Sequence, residues 1–306
     1  MRPYRAQDLP AKRRSGRSQH SRELLFAVGQ RPVDGVAHPN LHRLSLRARR
    51  LVLEMIQRAG SGHIGSSLSC VDIISTLKFA EMNWSAERDR CDSDVFVLSK
   101  GHAVPAWYAV LMISGELSTK HLGSLRTIDS PLQGHPDRVR NSLIDVSTGA
   151  LGQGLSVAIG RAHAKKMKGQ HSYVFCLLGD GECQEGETWE AIMFAGARGL
   201  GNLIAFIDFN QSQSDGSMQE VLDIGPLAPK LGAFDWHVQT VDGHCHWELR
   251  EAVRAARKET ERPSVIIART RKGYINATTV ACQGKHSGSL TQEEFQQFND
   301  LLEAMP

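Results

Sequence analysis

Two sets of residues in this sequence have types and spacings suited to chemistry. The first is Gly179-Asp180-Gly181, with Asn210 thirty positions later; each follows a short apolar run, 174–178 and 203–207. A carboxylate and an amide oxygen brought together make a hard, oxygen-rich site, suited to Mg²⁺ or Ca²⁺ and wrong for zinc. So few protein oxygens seldom complete the shell of such a cation, and phosphate oxygens usually do. Gly179 and Gly181 would let the backbone turn sharply and approach a ligand. Nearby helix N-termini would offer amides to a phosphate. The second set is histidine, 13 in all, several of them beside glycine. His63 follows Gly62, and His102 stands between Gly101 and Ala103, where packing gives little reason for an imidazole. A group that titrates near neutrality suits proton transfer there.

Asp180 and Asn210 meet only if the elements between them bring them together. Positions 172–178 and 203–208 read as buried strands, and 186–199 as a helix between them. A strand–helix–strand unit implies parallel pairing in a covered sheet. Ligands of such sheets gather at the carboxyl ends of the strands, where both residues fall. A strand at 236–241, a helix at 246–260 and a strand at 264–269 repeat the rhythm. Upstream, Leu44, Leu51, Met55 and Ile56 form a helical stripe that stops at Ala59-Gly60. A second helix is expected from Ser69, with Val71, Ile73, Ile74 and Leu77 inward. A strand at 94–98 runs into Ser99-Lys100-Gly101-His102, and helices follow at 103–114, 152–167 and 292–304. The fold class is α/β, with a mostly parallel central sheet covered by helices on both faces.

The chain has 306 residues and a formal net charge of +3, unevenly spread. Residues 1–50 carry 12 Lys/Arg against 3 Asp/Glu, and the remainder 24 against 30. The basic character therefore belongs to the first fifty residues, and the mildly acidic body argues against nucleic-acid binding. Residues 1–40 read as a basic, irregular extension with a short helix near 21–28, and 41–306 as one α/β domain. No apolar run approaches a membrane span, and the Arg-rich start has no apolar stretch of a secretory signal. Six scattered cysteines, none in a CxxC pair, read as free thiols of a reducing compartment, the cytoplasm.

The ordered motifs resemble the transketolase family, over about 41–290. They are SGHIGSSLS at 61–69, LSKGHA at 98–103, LQGHP at 132–136, STGALGQGLS at 147–156, GDGECQEGETWEA at 179–191, DFNQSQSDG at 208–216, GPLAPKLGAFDWHV at 225–238 and VDGH at 241–244. GDG followed by N some thirty residues later is similar to the thiamine diphosphate motif. The resemblance implies the thiamine diphosphate-binding fold, and a diphosphate-binding domain of the kind that forms the N-terminal half of transketolase or a separate N-terminal subunit.

It also implies roles. Asp180, Asn210 and the carbonyl of Ser212 would ligate Mg²⁺, for which Ca²⁺ or Mn²⁺ could substitute. Gly179 and the Gly181 amide would meet the diphosphate. Gly149 and Leu151 would line the cofactor rings, with Ala150 where the family usually has proline. His102 would contact diphosphate, and His135 the donor ketose near its C1 hydroxyl and carbonyl. His63 and His286 would assist proton transfer at substrate oxygens, although Ser287 separates His286 from the glycine that usually follows it. Glu185 would join a carboxylate network between two cofactor sites; a glutamate at a helix N-terminus is also favourable in itself. His244 fits the family motif or a turn equally well, and His20, His38, His121, His163 and His171 read as surface residues.

The expected reaction is transfer of a two-carbon ketol unit from a ketose, or ketose phosphate, to an aldose. The activating glutamate of this cofactor class lies in a pyrimidine-binding domain, expected on a separate C-terminal subunit in an α₂β₂ enzyme. Other reactions of the same scaffold stay open: the α-subunit of a 2-oxo acid dehydrogenase, a 1-deoxyxylulose-5-phosphate synthase, or a transketolase with unusual sugars. A degenerate regulatory subunit would have lost Asp180, Asn210 or the histidines, and all are present.

Overall fold

The structure is a computed structural model and describes residues 40–86, 92–281 and 287–305. The basic extension, its expected helix and His286 lie outside the described residues.

Helix α1 (Leu41–Ala59) starts where the Asn40 side chain accepts the Arg43 N–H at 3.1 Å, and ends at Gly60 with φ of 65°. Two short helices follow, α2 (Ile64–Ser69) and α3 (Val71–Thr76), the second running on as a π-helical turn, Leu77–Glu81. Then come β1 (Val95–Leu98), α4 (Val104–Ile113) and α5 (Gln153–Met167). Next are β2 (Val174–Gly179), α6 (Gly186–Ala197), β3 (Leu203–Phe209), α7 (Met218–Leu222) and α8 (Leu227–Ala233). The chain closes with β4 (His237–Asp242), α9 (His246–Lys258), β5 (Ser264–Arg269) and α10 (Gln292–Glu303).

The five strands form one parallel sheet in the order β1-β2-β3-β5-β4. Successive side chains of a strand point to opposite faces, and here both faces are buried. Phe175, Leu177, Ile204 and Phe206 pack under α1, α3, α4, α9 and α10. Val174, Cys176, Leu178, Ala205 and Ile207 pack under α5, α6 and α8. That is why the strands read as continuous apolar runs rather than alternating ones. β4, at the sheet edge, is only half-buried.

The α/β class, the parallel sheet and its two helical layers match the sequence expectation. Three helices were not legible. α2 is six residues long and contains Gly65, so no 3.6-residue stripe develops. α7 and α8 are five and seven residues long. α7 had one signal, the reciprocal cap between Ser217 and Glu220.

Candidate active site

Gly179 pairs with Asp208 across β2 and β3, so the residues after both strands emerge side by side at the carboxyl edge of the sheet. Asp180 is buried there. One carboxylate oxygen accepts the Gly181 N–H at 2.8 Å and the other the Gln211 N–H. Gln211 has φ of 59°, a strained conformation for a non-glycine residue, and its amide is thereby turned onto Asp180. Asn210 accepts the Ser212 N–H at 3.1 Å through its amide oxygen. Burial, and then the neighbouring Asp208 charge, push the Asp180 carboxyl up to about 6.

Asp208 itself is saturated. It accepts Ser69 Oγ at 2.5 Å and is also bound by Lys100 Nζ and Thr270 Oγ1. Burial opposes its charge, yet the Lys100 ammonium holds it below the usual carboxylate range. Lys100 is buried and also donates to the Ser66 carbonyl at 3.1 Å. Asp208 is a support under the site rather than a free ligand.

Glu182 ties three segments together. It accepts Ser99 Oγ at 2.5 Å, the Gly152 N–H at 2.9 Å and the Gly179 N–H at 3.0 Å. The end of β1, the loop before α5 and the end of β2 thus meet on one carboxylate. Gly152 has φ of 88°, and a Cβ there would stand 3.0 Å from Glu185 Cβ. Thr148 adds a second tie, donating from Oγ1 to the Leu98 carbonyl at 2.6 Å and from its N–H to the Pro136 carbonyl at 3.2 Å. These bonds carry Gly149 and Leu151 to the edge where Asp180 lies.

The histidines face the same space. His63 precedes α2, His102 lies in the 3₁₀ turn after β1, and His135 is in the loop before the Thr148 segment. The ring centroid of His63 is 5.2 Å from that of His102 and 6.2 Å from that of His135. Partial burial, and then the Arg126 charge, push His135 below the usual histidine range.

One cavity of about 310 Å³ gathers His63, His102, His135, Gly149, Leu151, Gly179, Asp180, Gly181, Glu185, Asn210 and Ser212. Every described residue expected at the site therefore lies on one surface. Glu185 and Leu151 are exposed at its rim.

Two expectations are corrected. Neither Gly179 nor Gly181 has positive φ, so the sharp turn does not need them; their missing side chains leave the backbone open to the cavity. Of the described histidines expected at the surface, His171 is exposed, while His121 and His163 are half-buried, His163 edge-on to Phe194 at 6.1 Å.

Sequence reasoning missed Glu182, Lys100 and Lys272. Lys272 follows β5 and donates from Nζ to the Ser212 carbonyl at 3.4 Å, to Ser212 Oγ at 3.3 Å and to the Gln213 carbonyl at 3.1 Å. Burial, and then Lys100, push its ammonium below the usual lysine range. No local pattern signals such a contact, because sixty positions separate the partners.

The donor set fits a hard cation held jointly with phosphate. Asp180 is a buried carboxylate whose charge burial disfavours, and Asn210 and the Ser212 carbonyl add neutral oxygens beside it. Among the described residues, no group of three or more His, Cys, Asp or Glu is gathered as a metal site. A cation here would draw one negative charge from the protein and the rest from its ligand. Among the described residues, no helix is long and apolar enough to cross a membrane.

Residues 42–305 match a family model described as the thiamine diphosphate-binding domain of transketolase. The chain is 41% identical over 252 residues to a 6-deoxy-6-sulfo-D-fructose transketolase subunit from a Clostridium species, covering 80% of this chain and 90% of that one. It is 34% identical over 254 residues to an apulose-4-phosphate transketolase subunit from Phocaeicola vulgatus, covering 83% and 90%. The transketolase structure from Campylobacter jejuni superposes with a TM-score of 0.81 at 29% identity, over 86% of this chain and 42% of that one. The chain spans less than half the length of the longer transketolases it matches.

Proposed function

The chain belongs to the transketolase family, and on that premise we propose that it is the diphosphate-binding subunit of a two-chain transketolase. The coverage supports this: about 90% of two relatives that are themselves named as subunits, against less than half of the longer enzymes. The second chain would bring the pyrimidine-binding domain and its activating glutamate, with α₂β₂ as the stoichiometry.

The observation that carries the reading is the single cavity at the ends of β2 and β3, where Asp180 and Asn210 meet three histidines. Thiamine diphosphate, when bound, supplies the carbon nucleophile that protein side chains lack. This chain's residues hold and orient it. Asp180, Asn210 and the Ser212 carbonyl would hold Mg²⁺, or Ca²⁺ or Mn²⁺ in its place. His102 would meet the diphosphate beside the ammonium of Lys272, and the Gly181 amide, which donates to Asp180 in the structure, would be shared with it. Gly149 and Leu151 would bear on the rings, with Gly179 leaving room for the diphosphate. Glu185, exposed at the rim, would join the carboxylate network between sites. His135, whose charged form burial and then Arg126 disfavour, would bond the ketose at its C1 hydroxyl, and His63 would move a proton at the substrate oxygens. His286 is proposed for the same task.

The reaction is transfer of a two-carbon ketol unit from a ketose to an aldose. Both subunit relatives have names that specify sugars with a terminal acidic group, a sulfonate or a phosphate. We take a ketose with such a group as the donor class. The enzyme would work in the cytoplasm, where Cys70, Cys176, Cys183 and Cys245, all free thiols, stay reduced.

The test is reconstitution. The chain alone should transfer no ketol unit, and the chain with its partner subunit should do so only with thiamine diphosphate and Mg²⁺. Full activity of the isolated chain would overturn the two-chain reading. Reconstituted transfer without the cofactor would overturn the chemistry.

A further inference from the structure

Behind the cavity lies a buried polar network that the proposed chemistry does not use. At its centre is Asp72 of α3. Arg49 of α1 grips both carboxylate oxygens, at 3.0 and 2.5 Å. His246 stands 3.6 Å from the same carboxylate, and its ring nitrogens also lie 3.3 Å from Ser45 Oγ and 2.8 Å from Thr76 Oγ1. His244 completes the set, with Nδ1 at 2.8 Å from Asp72.

The other nitrogen of His244 leaves the network. Its Nε2 accepts the backbone N–H of Arg271 at 3.0 Å. A backbone amide can only donate, so Nε2 carries no proton and Nδ1–H donates to Asp72. One neutral tautomer is thereby fixed. The ring also stacks on Tyr274, centroids 3.5 Å apart and 13° from parallel.

The segment that His244 holds is the one that carries Lys272. Three points fix it: His244 on the Arg271 amide, the Gly65 carbonyl accepting the Gly273 N–H at 2.9 Å, and Arg49 Nε donating to the Tyr274 carbonyl at 3.0 Å. Between these points Lys272 reaches the carbonyls of Ser212 and Gln213, in the loop that follows Asn210. We propose that His244 is a positioning residue for the cofactor site: it transmits the fixed geometry of the Arg49–Asp72 pair through the Arg271 amide to Lys272, and so sets the Ser212–Gln213 loop. This rests on the proposed cofactor role of that loop.

The test uses the assembled two-chain enzyme and measures thiamine diphosphate affinity in the presence of Mg²⁺. H244F keeps a ring over Tyr274 but loses both hydrogen bonds. It should raise the cofactor Kd about tenfold, the scale seen when an outer partner of a metal site is removed, while kcat at saturating cofactor stays within about twofold. H244Q, which can again offer an acceptor to Arg271, should recover most of the loss. The decisive comparison is a double-mutant cycle with K272M. If His244 acts through Lys272, H244F adds almost nothing to K272M; a full, additive loss in that background overturns the proposal.

Amide exchange of the cofactor-free chain separates the two readings. H244F should speed exchange over 271–274 and 212–214 with no ligand present. Unchanged exchange overturns the coupling even where the wild-type complex binds cofactor well. A wild-type complex that binds no cofactor defeats the functional reading instead, and the exchange then decides the coupling alone.

Discussion

Asp72 and Asp180 are aspartates buried to the same depth, 3% and 2% exposed, in opposite electrostatic states. Burial alone would push both up. At Asp72 the Arg49 guanidinium and the His244 bond outweigh it and hold the carboxyl far below the usual range. At Asp180 two backbone amides meet the carboxylate, and burial prevails, to about 6. The nearby lysines are committed elsewhere, Lys100 to Asp208 and Lys272 to the carbonyls of Ser212 and Gln213. A charge that the fold neutralises itself stabilises structure; a charge that it leaves uncompensated at the wall of a cavity is ready for a cation from outside.

The largest effect should come from breaking the satisfied side. Asp72→Ala strands Arg49 without its counter-charge and should cost about 3–5 kcal/mol in urea unfolding. Asp180→Ala removes a carboxylate but strands no cation, and should cost far less. The pH dependence carries the same contrast. A carboxyl lowered on folding contributes stability above its unfolded pKa of about 4 and loses it as pH falls. The gap between wild type and Asp72→Ala should therefore narrow below about pH 4. A gap of under about 1 kcal/mol at pH 7 would mean that Arg49 finds other partners.

For ligand binding the ranking reverses. Asp180→Ala in the two-chain enzyme should weaken Mg²⁺-dependent thiamine diphosphate binding about a hundredfold, measured by calorimetry. Unchanged metal dependence would reject Asp180 as a ligand. The raised carboxyl adds a finer test in the wild type. A protonated Asp180 cannot serve the cation, so affinity should fall about tenfold for each pH unit below about 6, and level off above it. A flat profile from pH 7 to 5 would show that the carboxylate stays ionised without help.

The two aspartates also differ in how well a sequence displays them. Asp180 and Asn210 were legible because one strand–helix–strand unit joins them, and local patterns decide such a unit. β1, β2, β3 and β5 were legible because both of their faces are buried, which leaves continuous apolar runs. The Asp72 network was not. His244 lies 172 positions from Asp72, and no spacing rule connects an aspartate on one helix to a turn after a distant strand. Read alone, His244 fits a turn as well as a motif. Lys272 escaped notice for the same reason. Glu182 stood beside the motif in plain view, but its task, holding Gly152 and Ser99, exists only once three segments converge.

The smallest test concerns how tightly the cavity wall is built. Gly152 caps the start of α5 at φ of 88°, its N–H is held by Glu182, and a Cβ would press on Glu185 at 3.0 Å. Gly160, inside α5, has nothing within 4 Å of where its Cβ would be. Gly152→Ala should cost about 1–2 kcal/mol from the left-handed backbone alone. Gly160→Ala should stabilise by up to about 1 kcal/mol, because a helix interior favours alanine over glycine. The difference matters beyond stability. Any relaxation at Gly152 moves Leu151 and Glu185 together, so Gly152→Ala should also weaken cofactor binding while Gly160→Ala leaves it unchanged. Equal cofactor affinities in the two variants would show that this wall tolerates displacement, and that the ends of β2 and β3 alone set the site.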